Sequence, residues 1–195
     1  DGKEPQGISG YVNYHITAPA RLKFDLTAQN GEVKVKDMVG GGKIATTNGD
    51  VEVKGTKGLQ EIHTANGGIH LSSITSEAPL RLTTDNGNID TKALDVQEVV
   101  AQTNNGGIRL EGRATSLNLT SQQGEIDAVL SPQAALKNAK IHSSNGHIGL
   151  TLPPQSNANL KATTANGSIT FEERGNKQNH ESRFEKVLGS GGGLI

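Results

Sequence analysis

Residues 80–94, LRLTTDNGNIDTKAL, carry the unit from which the chain is built. An aliphatic residue, a Thr, an Asn-Gly pair and an Ile form its skeleton. Eight copies align on the pairs Asn30-Gly31, Asn48-Gly49, Asn66-Gly67, Asn86-Gly87, Asn105-Gly106, Gln123-Gly124, Asn145-Gly146 and Asn166-Gly167. Successive anchors differ by 18, 18, 20, 19, 18, 22 and 21 residues. A period near 20 marks a stacked-repeat architecture.

The columns of this alignment are chemically uniform. Three residues after the anchor stand Val33, Val51, Ile69, Ile89, Ile108, Ile126, Ile148 and Ile169, all β-branched. Five after it stand Val35, Val53, Leu71, Thr91, Leu110, Ala128, Leu150 and Phe171. Four before it stand Leu26, Ile44, Ile62, Leu82, Ala101, Leu119, Ile141 and Ala162, and two before it Ala28 and then only Thr or Ser, from Thr46 to Thr164. Buried-type positions alternate with polar ones, the period of a half-buried strand. Each copy reads as strand, bend, strand, corner.

Two folds fit. In a parallel β-solenoid each copy is one rung and like residues stack about 4.8 Å apart. The aliphatic columns become core stripes, the Thr/Ser column a hydroxyl ladder, and the anchors an amide ladder in which Gln123 keeps an amide. The alternative is a chain of antiparallel hairpins, because Asn-Gly between alternating strands signals a type I′ turn. The solenoid is favoured, since stacking demands one residue type per column more directly than hairpin pairing does. The expected fold is therefore all-β, a single-domain parallel β-solenoid of about eight rungs of 18–22 residues, a rod roughly 40 Å long.

Composition agrees. Hydrophobic residues are 32% and aromatics 3%, with no Trp, too little for a compact globule but enough for a narrow core. With 19 Lys and Arg against 20 Asp and Glu the net charge is −1, and no basic stripe suggests nucleic acid. No apolar run is long enough to span a membrane. The absence of Cys removes disulfides and thiolate metal sites and is compatible with an oxidising compartment.

In chain order, residues 1–16 read as a lead-in and capping strand, with Tyr11 and Tyr14 as cap candidates, and Asp1-Gly2-Lys3-Glu4-Pro5 reads as a mature or trimmed start. Residues 17–195 form the repeat domain. Residues 131–138 (SPQAALKN) are the longest insert before the last rung, a longer corner or one helical turn. Residues 172–186 (EERGNKQNHESRFEK) are charged, lack alternation and read as a long loop, the kind of segment that often carries function. Leu194-Ile195 reads as the start of a ninth rung.

The blocks TTNGDVEVKG, TANGGIHLSSI, TTDNGNIDTKAL and LPPQSNANLKATTANGSITFE resemble a bacterial family of β-strand-repeat (Asn-Gly repeat) domains of unknown function that carries the adhesin label. The resemblance covers roughly residues 17–195. It implies an extended β-repeat domain on the extracytoplasmic side of a bacterial envelope: periplasm, outer membrane or cell surface. It brings no catalytic residues with it. Gln123 and the charged insert depart from the pattern.

Candidate chemistry is sparse. The outward acids Glu32, Asp50, Glu52, Asp90, Glu111, Glu125 and Asp127 include alternating pairs, but nothing suggests the raised carboxyl pKa that glycosidase chemistry needs. They read as a solvated face. Of the histidines His15, His63, His70, His142, His147 and His180, two pairs flank anchors some four rungs apart, so they do not assemble the three or four ligands of a zinc site. The repeat lacks the Gly-Gly-x-Gly-x-Asp calcium pattern. Val39-Gly-Gly-Gly42 lacks the Lys-Ser/Thr of a phosphate loop. Phe24 and Phe171 have inward parity and Phe184 lies in the insert, which weakens an aromatic sugar platform.

These readings lead to a non-catalytic adhesion or interaction module. A polysaccharide-acting β-helix enzyme and a structural rod stacking end to end are the alternatives. No catalytic, cofactor-binding or metal residue is assigned, no cofactor is expected, and ligand-binding residues are unassigned. The expected partner is a surface glycan or protein, with self-association through the solenoid ends under the rod reading. Ile108→Asp is expected to cost several kcal/mol, and the outward Arg109→Asp almost nothing.

Overall fold

A computed structural model describes residues 16–154, 156–173 and 175–189. The first rung holds β1 (Phe24–Asn30) and β2 (Val33–Lys36), the second β3 (Gly42–Asn48) and β4 (Val51–Lys54), the third β5 (Leu59–Asn66) and β6 (Ile69–Ser76). The fourth begins with β7 (Leu80–Asn86). Two long strands, β8 (Ile89–Thr103) and β9 (Ile108–Ser121), then turn a corner without a break, each ending one rung and starting the next. The sixth rung closes with β10 (Ile126–Leu130). The seventh is β11 (Asn138–Asn145) and β12 (Ile148–Leu152), the eighth β13 (Asn159–Asn166) and β14 (Ile169–Glu173).

Pairing between these rungs is parallel throughout. Asn30, Asn48, Asn66 and Asn86 are in register, as are Ile69, Ile89, Ile108 and Ile126. The fold is a parallel β-solenoid of about eight turns, and the hairpin alternative is excluded for them. The columns are the core: from Val51 to Ile169 every residue three after the anchor is at most 2% exposed. Burying such side chains contributes about 2 kcal/mol each. This is how a chain so poor in aromatics fills its interior; Phe171 is the largest of its fully buried side chains.

The anchor glycines serve stacking. A Cβ on Gly67, Gly87, Gly106 or Gly124 would lie 2.1, 2.0, 2.0 and 1.9 Å from the carbonyl oxygen of the anchor glycine one rung earlier. No larger residue fits between turns this close. One corner uses left-handed backbone, at Asp37 (φ 56°) and Gly55 (63°) just after β2 and β4, and at Ser73 (57°) and Ala93 (53°) within β6 and β8.

The amide ladder forms with a gap. Asn48, Asn66, Asn86 and Asn105 each donate Nδ2 to the Oδ1 of the preceding anchor at 2.7–2.9 Å, and Asn166 donates to Asn145 at 2.8 Å. Gln123, expected to carry the ladder on, does not: its side chain is one methylene longer than Asn, and among the described residues it makes no amide bond with Asn105 or Asn145. Asn145 turns instead to the Gln122 carbonyl at 3.4 Å. A short second ladder runs one residue earlier, from Gln122 to Asn104 and from Asn104 to Asp85.

The hydroxyl ladder is corrected as well. Thr64, Thr84, Thr103, Ser121, Ser143 and Thr164 donate to the anchor-glycine carbonyl of the previous rung at 2.9–3.2 Å. Hydroxyls on successive rungs are about 4.8 Å apart, beyond O–H···O reach, whereas the glycine carbonyl is within it. Thr46 is the exception, its Oγ1 buried without a partner.

The third correction concerns residues 172–186. The end of this segment is not a loop but two strands, β15 (Asn176–His180) and β16 (Arg183–Val187), antiparallel to β14 and β13 respectively. They make a ninth rung that runs backwards over the eighth. β15 is exposed at every position but His180, and this removes the alternation by which a strand is recognised. Residues 131–138 form the longer corner, a single turn closed by Ala134 N–H to Ser131 C=O at 2.9 Å, with Leu136 tucked into the core. Tyr11, Tyr14, His15 and Leu194-Ile195 lie outside the described residues.

Candidate functional site

Parallel in-register stacking brings each outward side chain within reach of its equivalents one rung above and below. Like charges would then repel along a column, and the sequence alternates them. Lys34, Glu52, His70, Asp90, Arg109 and Asp127 occupy one register column. Lys34 Nζ lies 2.9 Å from Glu32 and 3.6 Å from Glu52, and His70 Nδ1 3.5 Å from Asp90. The hydrogen bond and charge of Glu32, helped by Glu52, hold the Lys34 ammonium above its ordinary pKa. On the other sheet face Asp25, Lys43, Glu61 and Arg81 alternate in the same way, with Lys43 and Glu61 3.0 Å apart.

The acids singled out from the sequence are distributed along these columns and are not gathered in a groove. Asp50 accepts the Gly68 N–H at 2.7 Å, fixing the next turn. Glu52, Asp90 and Asp127 belong to the alternating column, and Glu111 and Glu125 are exposed. The histidines are equally dispersed. His142 Nδ1 meets Thr163 Oγ1 at 2.9 Å and His147 Nδ1 meets Ser168 Oγ at 2.8 Å, while His63 is exposed. Among the described residues no three of His, Cys, Asp or Glu are placed to hold a metal ion.

A cleft of about 690 Å³ opens at the C-terminal mouth, where the reversed rung meets the eighth. The inward column changes character there. Gln178 is in register with Phe171, Asn176 with Glu173, and Lys186 with Leu160, where the seventh rung carries Leu150, Leu152 and Ala139. Phe184 stacks on Phe171 with ring centroids 4.9 Å apart, and the His180 ring lies 4.7 Å from Phe184, its Nε2 buried without a partner. Lys186 Nζ sits 4.9 Å from the Phe171 ring centroid and 4.0 Å from Glu173 Oε2. These two charged side chains are only 34% and 18% exposed. Ser156 and Asn157 also line it, and Ser156 Oγ donates to the Pro153 carbonyl at 2.7 Å.

An aromatic floor with a cation above it, one carboxylate and several amides can hold a polar ligand through hydrogen bonds and charge. Among the described residues it pairs no nucleophile with a base. The sequence marks the segment and Phe184 but not the cleft. The one signal was the alternation of Arg183, Phe184, Glu185 and Lys186, in which a single apolar residue marks the inward face.

These features define the chain as an all-β repeat domain of the solenoid class, without a helix among its described residues and so without one able to cross a membrane. The pattern of the Toastrack DUF4097 family, a domain of unknown function, matches residues 61–192, more than half of the chain. The chain belongs to that family. No curated protein and no solved structure matches it significantly.

Proposed function

We propose that this Toastrack domain is a non-catalytic adhesion or interaction module of a bacterial envelope, working on its extracytoplasmic side, and that the C-terminal mouth is its contact point. The observation that carries this reading is the change of the inward columns at the last rung, where Gln178 and Lys186 follow Leu150, Phe171, Ala139 and Leu160. An end that served only to close the core would need neither a half-buried Lys-Glu pair nor amides around an open cleft. The resemblance to adhesin-labelled repeat domains supports the envelope setting. End-to-end stacking is disfavoured, because the outermost rung carries Lys177, Glu181, Arg183 and Lys186, charges that blunt a strand edge.

The test is binding of the purified domain to an array of surface glycans and matrix proteins at physiological salt. A saturable hit that weakens at least tenfold in Lys186→Ala and Gln178→Ala supports the reading. A hit unchanged by both substitutions moves the contact away from the mouth. A blank array sinks the adhesion role.

A further inference from the structure

Seven Asn-Gly pairs on one exposed corner pose a chemical problem. Glycine offers no side chain to hinder its backbone nitrogen, and that nitrogen can attack Cγ of the preceding Asn. The C–N bond to Nδ2 breaks, ammonia leaves, and a five-membered succinimide forms. Water then opens the ring to aspartate or isoaspartate, so that amide and water become carboxylate and ammonium. Isoaspartate lengthens the backbone by one methylene. In a stack where the next glycine carbonyl is already at the limit of approach, that addition breaks the register of a rung.

We infer that the amide ladder is what protects these pairs in the folded protein, and that modification enters where an anchor's Oδ1 accepts no amide from the next rung, at Asn105 and Asn166. Ring closure requires the Asn side chain to rotate toward the following nitrogen and Nδ2 to leave. Asn48, Asn66 and Asn86 are held at both ends, each donating to one neighbour and accepting from the other at 2.7–2.9 Å. In the first of these rungs the attacking nitrogens are also engaged: Gly49 N–H donates to Asn66 C=O at 3.0 Å and Gly67 N–H to Asn86 C=O at 3.2 Å.

Asn105 and Asn166 donate to Asn86 and Asn145, but among the described residues nothing donates to their Oδ1. For Asn105 the next anchor is Gln123, whose longer side chain gives it no amide bond. For Asn166 the ladder simply ends, and Gly167 beside it is exposed. One amide hydrogen bond fewer translates into modification faster by about fivefold.

The experiment is incubation of the intact protein at mildly alkaline pH, with peptide mapping by mass spectrometry to follow the conversion of amide to carboxyl at each pair. Folded protein should modify Asn105 and Asn166 ahead of Asn48, Asn66 and Asn86, and the differences should collapse in urea. Gln123→Asn, which restores an amide to the column, should slow Asn105 toward the rate of Asn86. Asn105 separates protection by the ladder from fraying of the end rung, because it lies mid-rod next to Asn86. If Asn105 and Asn86 react equally, if Asn166 alone is fast, or if Gln123→Asn leaves Asn105 unchanged, the inference is overturned.

Discussion

Gly106 stacks on Gly87 so closely that a Cβ on Gly106 would lie 2.0 Å from the Gly87 carbonyl oxygen. The same oxygen accepts the Thr103 hydroxyl at 2.9 Å. Turn stacking and core hydrogen bonding therefore meet at one atom, and a substitution on either side is felt by both.

Gly106→Ala should cost several kcal/mol, because backbone on both sides must move. Gly175→Ala is the control. Its φ is 75°, but a Cβ there meets nothing within 4 Å, so only the left-handed strain of about 1 kcal/mol applies. Thermal unfolding of the two variants checks this; equal shifts would contradict stacking as the reason for the glycine column.

Thr103→Val should destabilise by about 1 kcal/mol, since it removes a satisfied buried hydrogen bond. Thr46→Val should be neutral or stabilising, because the Thr46 hydroxyl is buried without a partner and its desolvation is uncompensated. Urea midpoints of the two variants must move in different directions, or by clearly different amounts, for the assignment to stand.

Ile108→Asp should lose several kcal/mol, the residue being 2% exposed in the core. Arg109→Asp, from sequence parity alone a neutral change, now carries a cost. Arg109 lies in register between Asp90 and Asp127, and the substitution would line up three carboxylates. About 1 kcal/mol, largely removed by added salt, is the expected penalty. Arg109→Gln should be nearly silent in the same melts.

The contrast between those two positions shows what was legible beforehand. Inward columns repeat one residue type and can be read from a single chain, so the solenoid, its rung number and the core were accessible. The alternating column of Lys34, Glu52, His70, Asp90, Arg109 and Asp127 never repeats a residue on neighbouring rungs, and it becomes a pattern only once register is known. The ninth rung was hidden for another reason. With one face open to solvent and its direction reversed, β15 has neither alternation nor an Asn-Gly anchor, so Gln178 and Lys186 could not be placed over Phe171.

Acid should act through the cap. Hydrogen bonds from Lys161 and then Arg183, each 2.9 Å away, hold the Glu185 carboxyl below its ordinary pKa. A lowered carboxyl pKa contributes stability above the unfolded-state value, and this contribution disappears as pH falls through the folded value. Wild-type protein should therefore exceed Glu185→Gln in urea resistance near neutrality, and the two curves should converge below about pH 4. Parallel curves down to acid pH would show that the pair contributes nothing.

The gap at Gln123 also has a mechanical meaning. A rod pulled along its axis passes tension from turn to turn through the parallel backbone bonds and through the side-chain amides that run beside them. Between Asn105 and Asn145 the anchor amides break off, and the Gln122 amide with the Ser121 and Ser143 hydroxyls is left to share the load with the backbone. A stretching force would meet there a seam without the anchor amide that joins Asn86 to Asn105 and Asn145 to Asn166 on either side.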